Sequence, residues 1–214
     1  MATAIEIPVA LRADDRLVLR HVDWTAYDAV RRALRDHPVR LAFDGKDLEL
    51  MSPSPIHESY SNLFGRLLGA LALARDIEMR GGRSMTFRRE DVQHGLEPDD
   101  CYWIQKELAV RGKAEIDLAV DPPPDLAIEI DITRSSIDRL AIYAEFQVPE
   151  VWLFDGRSLR IHQLQLNGVY METEASRCLP FVDVRKMIPF LQLDSEVGET
   201  TRVRQFIQTM GSAG

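Results

Sequence analysis

The stretch "PPPDLAIEIDITRSS", residues 122–136, constrains this chain most, because two carboxylates interrupt an oily strand. With the two-residue period of a strand, Leu126, Ile128, Ile130 and Ile132 share one face, and Asp125, Ala127, Glu129 and Asp131 share the other. The first face reads as buried and the second as acidic. A desolvated, unpaired carboxylate near a sheet centre is costly, so Glu129 and Asp131 are expected to meet solvent, a cationic side chain or a metal ion.

The flanking residues set the strand in a βαβ unit. Ser135 or Ser136 is placed to cap "IDRLAIYAEFQ", where Ile137, Leu140, Ala141, Ala144 and Val148 recur at helical spacing, and "PEVWLFD" then reads as a strand. Short joins around a helix of about three turns predict that segments 125–132 and 150–155 run parallel. Upstream, Asp23 caps a helix over 23–36 that ends before His37-Pro38, and the Asp44-Gly45 turn closes a hairpin within "VRLAFDGKDLELM". Ser54 and Pro55 open a central helix over 56–74 whose second half is apolar almost all round. Strands are predicted in "DIEMRG", "SMTFRRED" and "DDCYWI", with a turn-rich "QHGLEP" before the last and a charged loop over 105–121 after it. The hairpin-like pair "SLRIHQLQ" and "GVYMETEA" and a short helix in "FVDVRKMIPFL" follow, and "MGSAG" reads as a frayed tail. The expectation is one α/β domain over 1–214: a mixed β-sheet flanked by helices, with an N-terminal helix and hairpin.

A chain of 214 residues can bury roughly 70% of its unfolded surface without disulfide staples. Cys101 and Cys178 match no metal-site spacing, which suits a reducing cytoplasm. Neither a signal peptide nor an apolar run of about 18 residues is visible, so export and membrane spanning are not expected. The net charge of −8 argues against broad nonspecific nucleic-acid binding, but leaves room for a locally basic groove or for acids neutralised by bound cations.

Four acidic positions carry the chemistry: Glu58 at the start of the central helix, Asp99 in "EPDDC", and Glu129 with Asp131. A hard cation such as Mg²⁺ takes carboxylate and carbonyl oxygens, usually one or two carboxylates plus water and substrate phosphate. Three of these acids also have a structural reading, whereas an acid in the middle of an Ile-rich strand, Glu129, favours a ligand role. Glu58 complements a positive helix N-terminus, Asp99 beside Asp100 is a turn residue, and Asp131 caps the turn that follows. Trp152, Phe154, Tyr143 and Phe146 read as core, His57 as a helix-start histidine, and Arg83, Arg88 and Arg89 as a solvated sheet edge.

A helix acid, then "PD" at a strand, then a glutamate in the next strand with a helix after it resembles the PD-(D/E)XK nuclease superfamily. More closely, "LMSPSPIHE", "FRRED", "LEPDDCYWI", "PPPDLAIEIDIT" and "SSIDRLAIYAEFQVPEVWLFDG" are similar to the Uma-type restriction-endonuclease-like family, over roughly residues 39–192. The resemblance implies a restriction-endonuclease-like fold and metal-dependent hydrolysis of DNA, with Asp99 and Glu129 as the motif acids and Glu58 as the helix acid. It implies Mg²⁺, or Mn²⁺, held by Asp99, Glu129, the carbonyl of Ile130 and Asp131. A homodimer would suit a duplex cutter, but no motif in the sequence encodes one. The superfamily's lysine slot, two residues after the glutamate, holds Asp131. The family's basic residue falls instead at Arg139, four residues before Tyr143. A guanidinium stays protonated, so Arg139 can orient or stabilise phosphate charge but cannot act as a base; its alternative is a surface pair with Asp138 or Glu145. Two rival functions remain open: a binding or scaffold module with a weakened site, and a phosphohydrolase acting on a smaller nucleotide.

Overall fold

A computed structural model describes residues 14–133, 135–193 and 196–210. The expectations for the N-terminal stretch before Asp14 and for the tail after Met210 lie outside them. The elements run β1 (Arg16–Leu19), α1 (Trp24–Leu34), β2 (Arg40–Phe43), β3 (Leu48–Met51), α2 (Pro55–Ala74), β4 (Arg80–Gly81), β5 (Phe87–Arg89), β6 (His94–Leu96) and β7 (Asp100–Trp103). Then come α3 (Glu107–Val110), β8 (Leu126–Ile130), α4 (Arg139–Glu145), β9 (Glu150–Phe154), β10 (Leu159–Leu164), β11 (Tyr170–Thr173) and α5 (Glu199–Met210).

The mixed sheet flanked by helices is present, in the order β11-β10-β9-β8-β7-β4. Its parallel pair is β8 with β9, in register from Leu126 against Glu150 to Ile130 against Phe154, and the other pairings are antiparallel. The βαβ unit is therefore as the spacing predicts. The N-terminal hairpin grows into a second, antiparallel sheet, β1-β3-β2-β6-β5, which recruits His94–Leu96 from the stretch read as turns.

Helices fill the layers. Helix α2 begins where Ser54 accepts from the His57 N–H at 3.2 Å. Its apolar side, including Leu63, Phe64, Leu67 and Leu71, packs with Leu126, Ile128, Trp152 and Phe154 on one face of the mixed sheet, and with Phe206 of α5. On the other face, Ala127 and Val151 pack with Ile142, Tyr143 and Phe146 of α4, and with Ala42, Phe87 and Leu96 of the second sheet. Helix α4 thus lies between the two sheets, while α1 covers the far side of the second one through Tyr27, Leu41, Phe43, Leu48 and Leu50.

Several local expectations are corrected. All five residues of β8 are buried, which removes solvent from the partners expected for Glu129 and leaves the cationic ones. Asp138, through the Ala141 N–H at 3.2 Å, caps α4, which spans seven residues; Ser135 and Ser136 point elsewhere. "FVDVRKMIPFL" forms two single 3₁₀ turns, Val184–Lys186 and Ile188–Leu191. The "DIEMRG" strand shrinks to Arg80–Gly81, and α5 was not anticipated because its sequence is mostly polar, with Phe206 and Met210 anchoring it. Both cysteines are buried and free. Among the described residues, no helix is long and apolar enough to cross a membrane.

Gly95 fixes how α1 meets the second sheet. A Cβ there would stand 2.0 Å from the Tyr27 hydroxyl and 2.5 Å from its ring carbon, and the Tyr27 ring is stacked on Phe43 at 4.8 Å and cannot yield freely. Gly95→Ala is expected to destabilise the protein by about 1–3 kcal/mol, the cost of overpacking a filled core. Urea unfolding checks this, and an unchanged midpoint would refute the packing described.

Candidate functional site

Glu129 points from β8 toward α4. Arg139 and Tyr143 are one turn apart on that helix and so project from the same face. The Arg139 guanidinium donates through Nη1 to Glu129 Oε2, and the Tyr143 hydroxyl donates to Oε1. Glu129 is 2% exposed, so the charge that an Ile-rich strand cannot solvate is met by an internal cation. This answers the alternative for Arg139: it pairs with Glu129, not with Asp138 or Glu145.

Asp99 sits just ahead of β7 and stitches that strand to β8. Its N–H donates to the Ile128 carbonyl at 3.2 Å, and its Oδ2 accepts from the Ile130 N–H at 2.7 Å. Nε2 of His57, in the first turn of α2, lies 3.2 Å from the same Oδ2, and Ser61 one turn on donates to the Asp99 carbonyl at 3.1 Å. The second oxygen, Oδ1, is buried without a hydrogen-bond partner, with Arg40 Nε at 3.9 Å. Asp100 turns the other way and accepts from the Tyr102 hydroxyl and the Cys101 N–H. Of the two neighbouring aspartates, Asp99 is the one at the site.

Glu58 and Asp131 occupy the rim. The Glu58 side chain is 48% exposed, with Arg40 Nη2 at 3.2 Å and His57 Nδ1 at 3.8 Å. Asp131 is 36% exposed and pairs with Arg16 Nη2 at 3.3 Å. Sequence reasoning missed Glu49 of β3. Its carboxylate is buried and accepts from Arg16 Nη1 at 2.6 Å, Ser135 Oγ at 2.9 Å and the Ser136 N–H at 2.8 Å, with Arg139 Nη2 at 3.8 Å. The signal was available: "LELM" sets an acid in an apolar strand just as "LAIEI" does. Arg88 and Arg89 lie on β5 at the sheet edge, as expected; Arg88 sits over the Trp24 ring and Arg89 pairs with Asp91.

Five carboxylates (Glu49, Glu58, Asp99, Glu129, Asp131) thus gather around three guanidinium groups (Arg16, Arg40, Arg139) and His57. The titrations reflect that crowding of charge. Burial, and then the Asp99 charge, push Glu129 up to about 7 against the pull of Arg139. Asp99 is held below the usual carboxylate range; burial works against this, but His57 and Arg139 outweigh it. His57 is raised, its own burial overcome by Asp99, Glu58 and Glu129.

The donors suit a hard cation in part. Asp99 Oδ1 is a buried oxygen without a hydrogen-bond partner, and the Arg40 Nε stands off at 3.9 Å. Among the described residues, no three acid, histidine or cysteine side chains are gathered into a ready metal cage. Two carboxylates are sufficient for Mg²⁺, which keeps several waters and binds substrate phosphate as well.

A mixed α/β scaffold whose central strand buries an acid beside a second acid from the next strand places the chain among proteins built to hold a charged site in a sheet core. Residues 24–196 match the model of the Uma2 family, described as "Putative restriction endonuclease", and the chain belongs to that family. Among solved structures, a "putative nuclease belonging to DUF820 from Anabaena variabilis ATCC 29413" aligns with 13% identity and a TM-score of 0.44, over 79% of this chain and 92% of that one. No curated protein matches.

Replacing Arg139 tests the electrostatics directly. Removing one partner of a buried pair leaves an uncompensated charge and costs about 3–5 kcal/mol. Glu129, already raised to about 7, moves higher without the guanidinium, so the unfolded chain loses its proton well before the folded one. Folded stability therefore falls as pH rises through that window. Arg139→Met should lose little at pH 5.5 and most of its stability above pH 7, as read by urea unfolding at both; a loss independent of pH would contradict the assignment.

Proposed function

We propose that this protein is a metal-dependent endonuclease that hydrolyses phosphodiester bonds in DNA. The observation that carries the reading is Asp99: a buried carboxylate fixed by the Ile130 N–H, with one oxygen lacking a hydrogen-bond partner, in the same cluster as Glu129. Membership of a family described as "Putative restriction endonuclease" supports the nuclease class.

Asp99 and Glu129, with the Ile130 carbonyl and Asp131, would hold Mg²⁺ or Mn²⁺. Such an ion, when bound, polarises a phosphate and lowers the pKa of a bound water. The chain's own residues do the rest. His57 and the Ile130 N–H fix the Asp99 carboxylate. Arg139 remains a cation throughout and stabilises negative charge gathering on the phosphate. Glu58, half-exposed at the rim, orients water or substrate at the entrance.

One observation favours a second reading, a nuclease-fold binding module: both Glu129 oxygens already accept, from Arg139 and Tyr143. Calorimetry with Mn²⁺ separates the two. The wild type should bind the metal, Asp99→Asn and Glu129→Ala should abolish that binding, and Mg²⁺-dependent cleavage of duplex DNA should disappear with it. Wild-type protein that binds no Mn²⁺ would leave the binding-module reading standing alone.

A further inference from the structure

Glu49 is a buried acid at this site that the proposed chemistry does not use. It lies on β3 of the second sheet, whereas Glu129 lies on β8 of the mixed sheet, and the Arg139 guanidinium stands between them. Nη1 donates to Glu129, but Nη2 and Nε are both buried without a hydrogen-bond partner, and Nη2 is 3.8 Å from Glu49 Oε1. A guanidinium has five donors in a rigid fork, and leaving some unmet in a dry interior is costly. Glu49 has the capacity to receive one. An ionised carboxylate offers about four acceptor sites, and the hydrogen bonds from Arg16, Ser135 and Ser136 fill three.

We propose that Glu49 is a second seat for Arg139: when a divalent cation is held by Glu129, the guanidinium turns onto Glu49 and stays inside the site. The inference rests on the metal-binding reading above. Two cations cannot share Glu129 without repulsion, which in a low-dielectric site is severe. Without a second acid, the displaced guanidinium would be stranded unpaired or driven out to solvent. With Glu49 in place, closing the gap from 3.8 Å to a charge-assisted hydrogen bond takes a movement of only about 1 Å. Positive charge is then retained where a phosphate would arrive. Glu49 is in this sense a positioning residue, acting on substrate through Arg139.

The test is a double-mutant cycle read by Mn²⁺ calorimetry, without reference to activity, on wild type, Glu49→Gln, Arg139→Met and the double variant. Glutamine keeps the shape and one acceptor oxygen and removes the charge. Glu49→Gln should weaken Mn²⁺ binding about tenfold with Arg139 present and about twofold without it, since only the first background has a guanidinium to reseat. Equal losses in both backgrounds, or no loss in either, would overturn the inference while leaving the metal site intact. Absence of Mn²⁺ binding by wild type would instead remove the metal-binding reading and this inference with it. If thermal melts show that Glu49→Gln, Arg139→Met or the double variant does not fold, a crystal structure of the unaltered protein with Mn²⁺ decides. Arg139 Nη2 within about 3.2 Å of Glu49 supports the second seat, and Arg139 unmoved or in solvent refutes it.

Discussion

The buried contact between Glu129 and Arg139 is the interaction on which the rest of this structure depends. It puts a charge from the central strand against a charge from the helix packed over that strand, at a depth where neither could remain alone. Tyr143 closes the second oxygen of Glu129. Exchanging such a pair for apolar residues of similar volume is often neutral, whereas losing one member is not. That asymmetry argues against a purely mechanical role, since a simple sheet-to-helix contact needs no ions. A site of the kind proposed above, which handles phosphate and metal charge, does.

The same contact shows what could be read from residues alone. An acid in "LAIEI" is conspicuous, and the expectation of a cationic partner follows from solvation physics. Which cation it is did not follow, because Arg139 lies ten residues on, across a turn, and was singled out only by resemblance. Asp99 and Asp100 are chemically identical in sequence; alternation sends one to the Ile130 N–H and the other to Tyr102, and nothing local says which is which. Glu49 was overlooked for a deeper reason. In a two-stranded hairpin its face would be wet, and it is dry because β1, β6 and β5 extend the hairpin into a sheet buried against α4. Burial on both faces is a tertiary fact.

Capping illustrates the same competition. Ser135 and Ser136 have the chemistry of helix caps, but the Ser135 hydroxyl and the Ser136 N–H both donate to Glu49, and the cap passes to Asp138. In β6 the strand signal is weak because it includes Gly95, and that glycine is there because the Tyr27 hydroxyl occupies the space of its side chain. The long elements were legible because their periodicity is strong and their partners are near in sequence. Helix α2 and the parallel pair β8 and β9 are the clearest cases, and they carry His57 and Glu129.

Helix α4 is only seven residues long, yet it lies between two sheets and turns Arg139 and Tyr143 toward Glu129 while Ile142 and Phe146 fill the core. A one-residue insertion within it would rotate everything downstream by about 100°, moving Tyr143 off the acid and carrying an apolar side chain into its place. Chemistry and packing are therefore written in the same register on this helix. Variation of length in this family should accordingly collect in the loops between elements, where neither is disturbed.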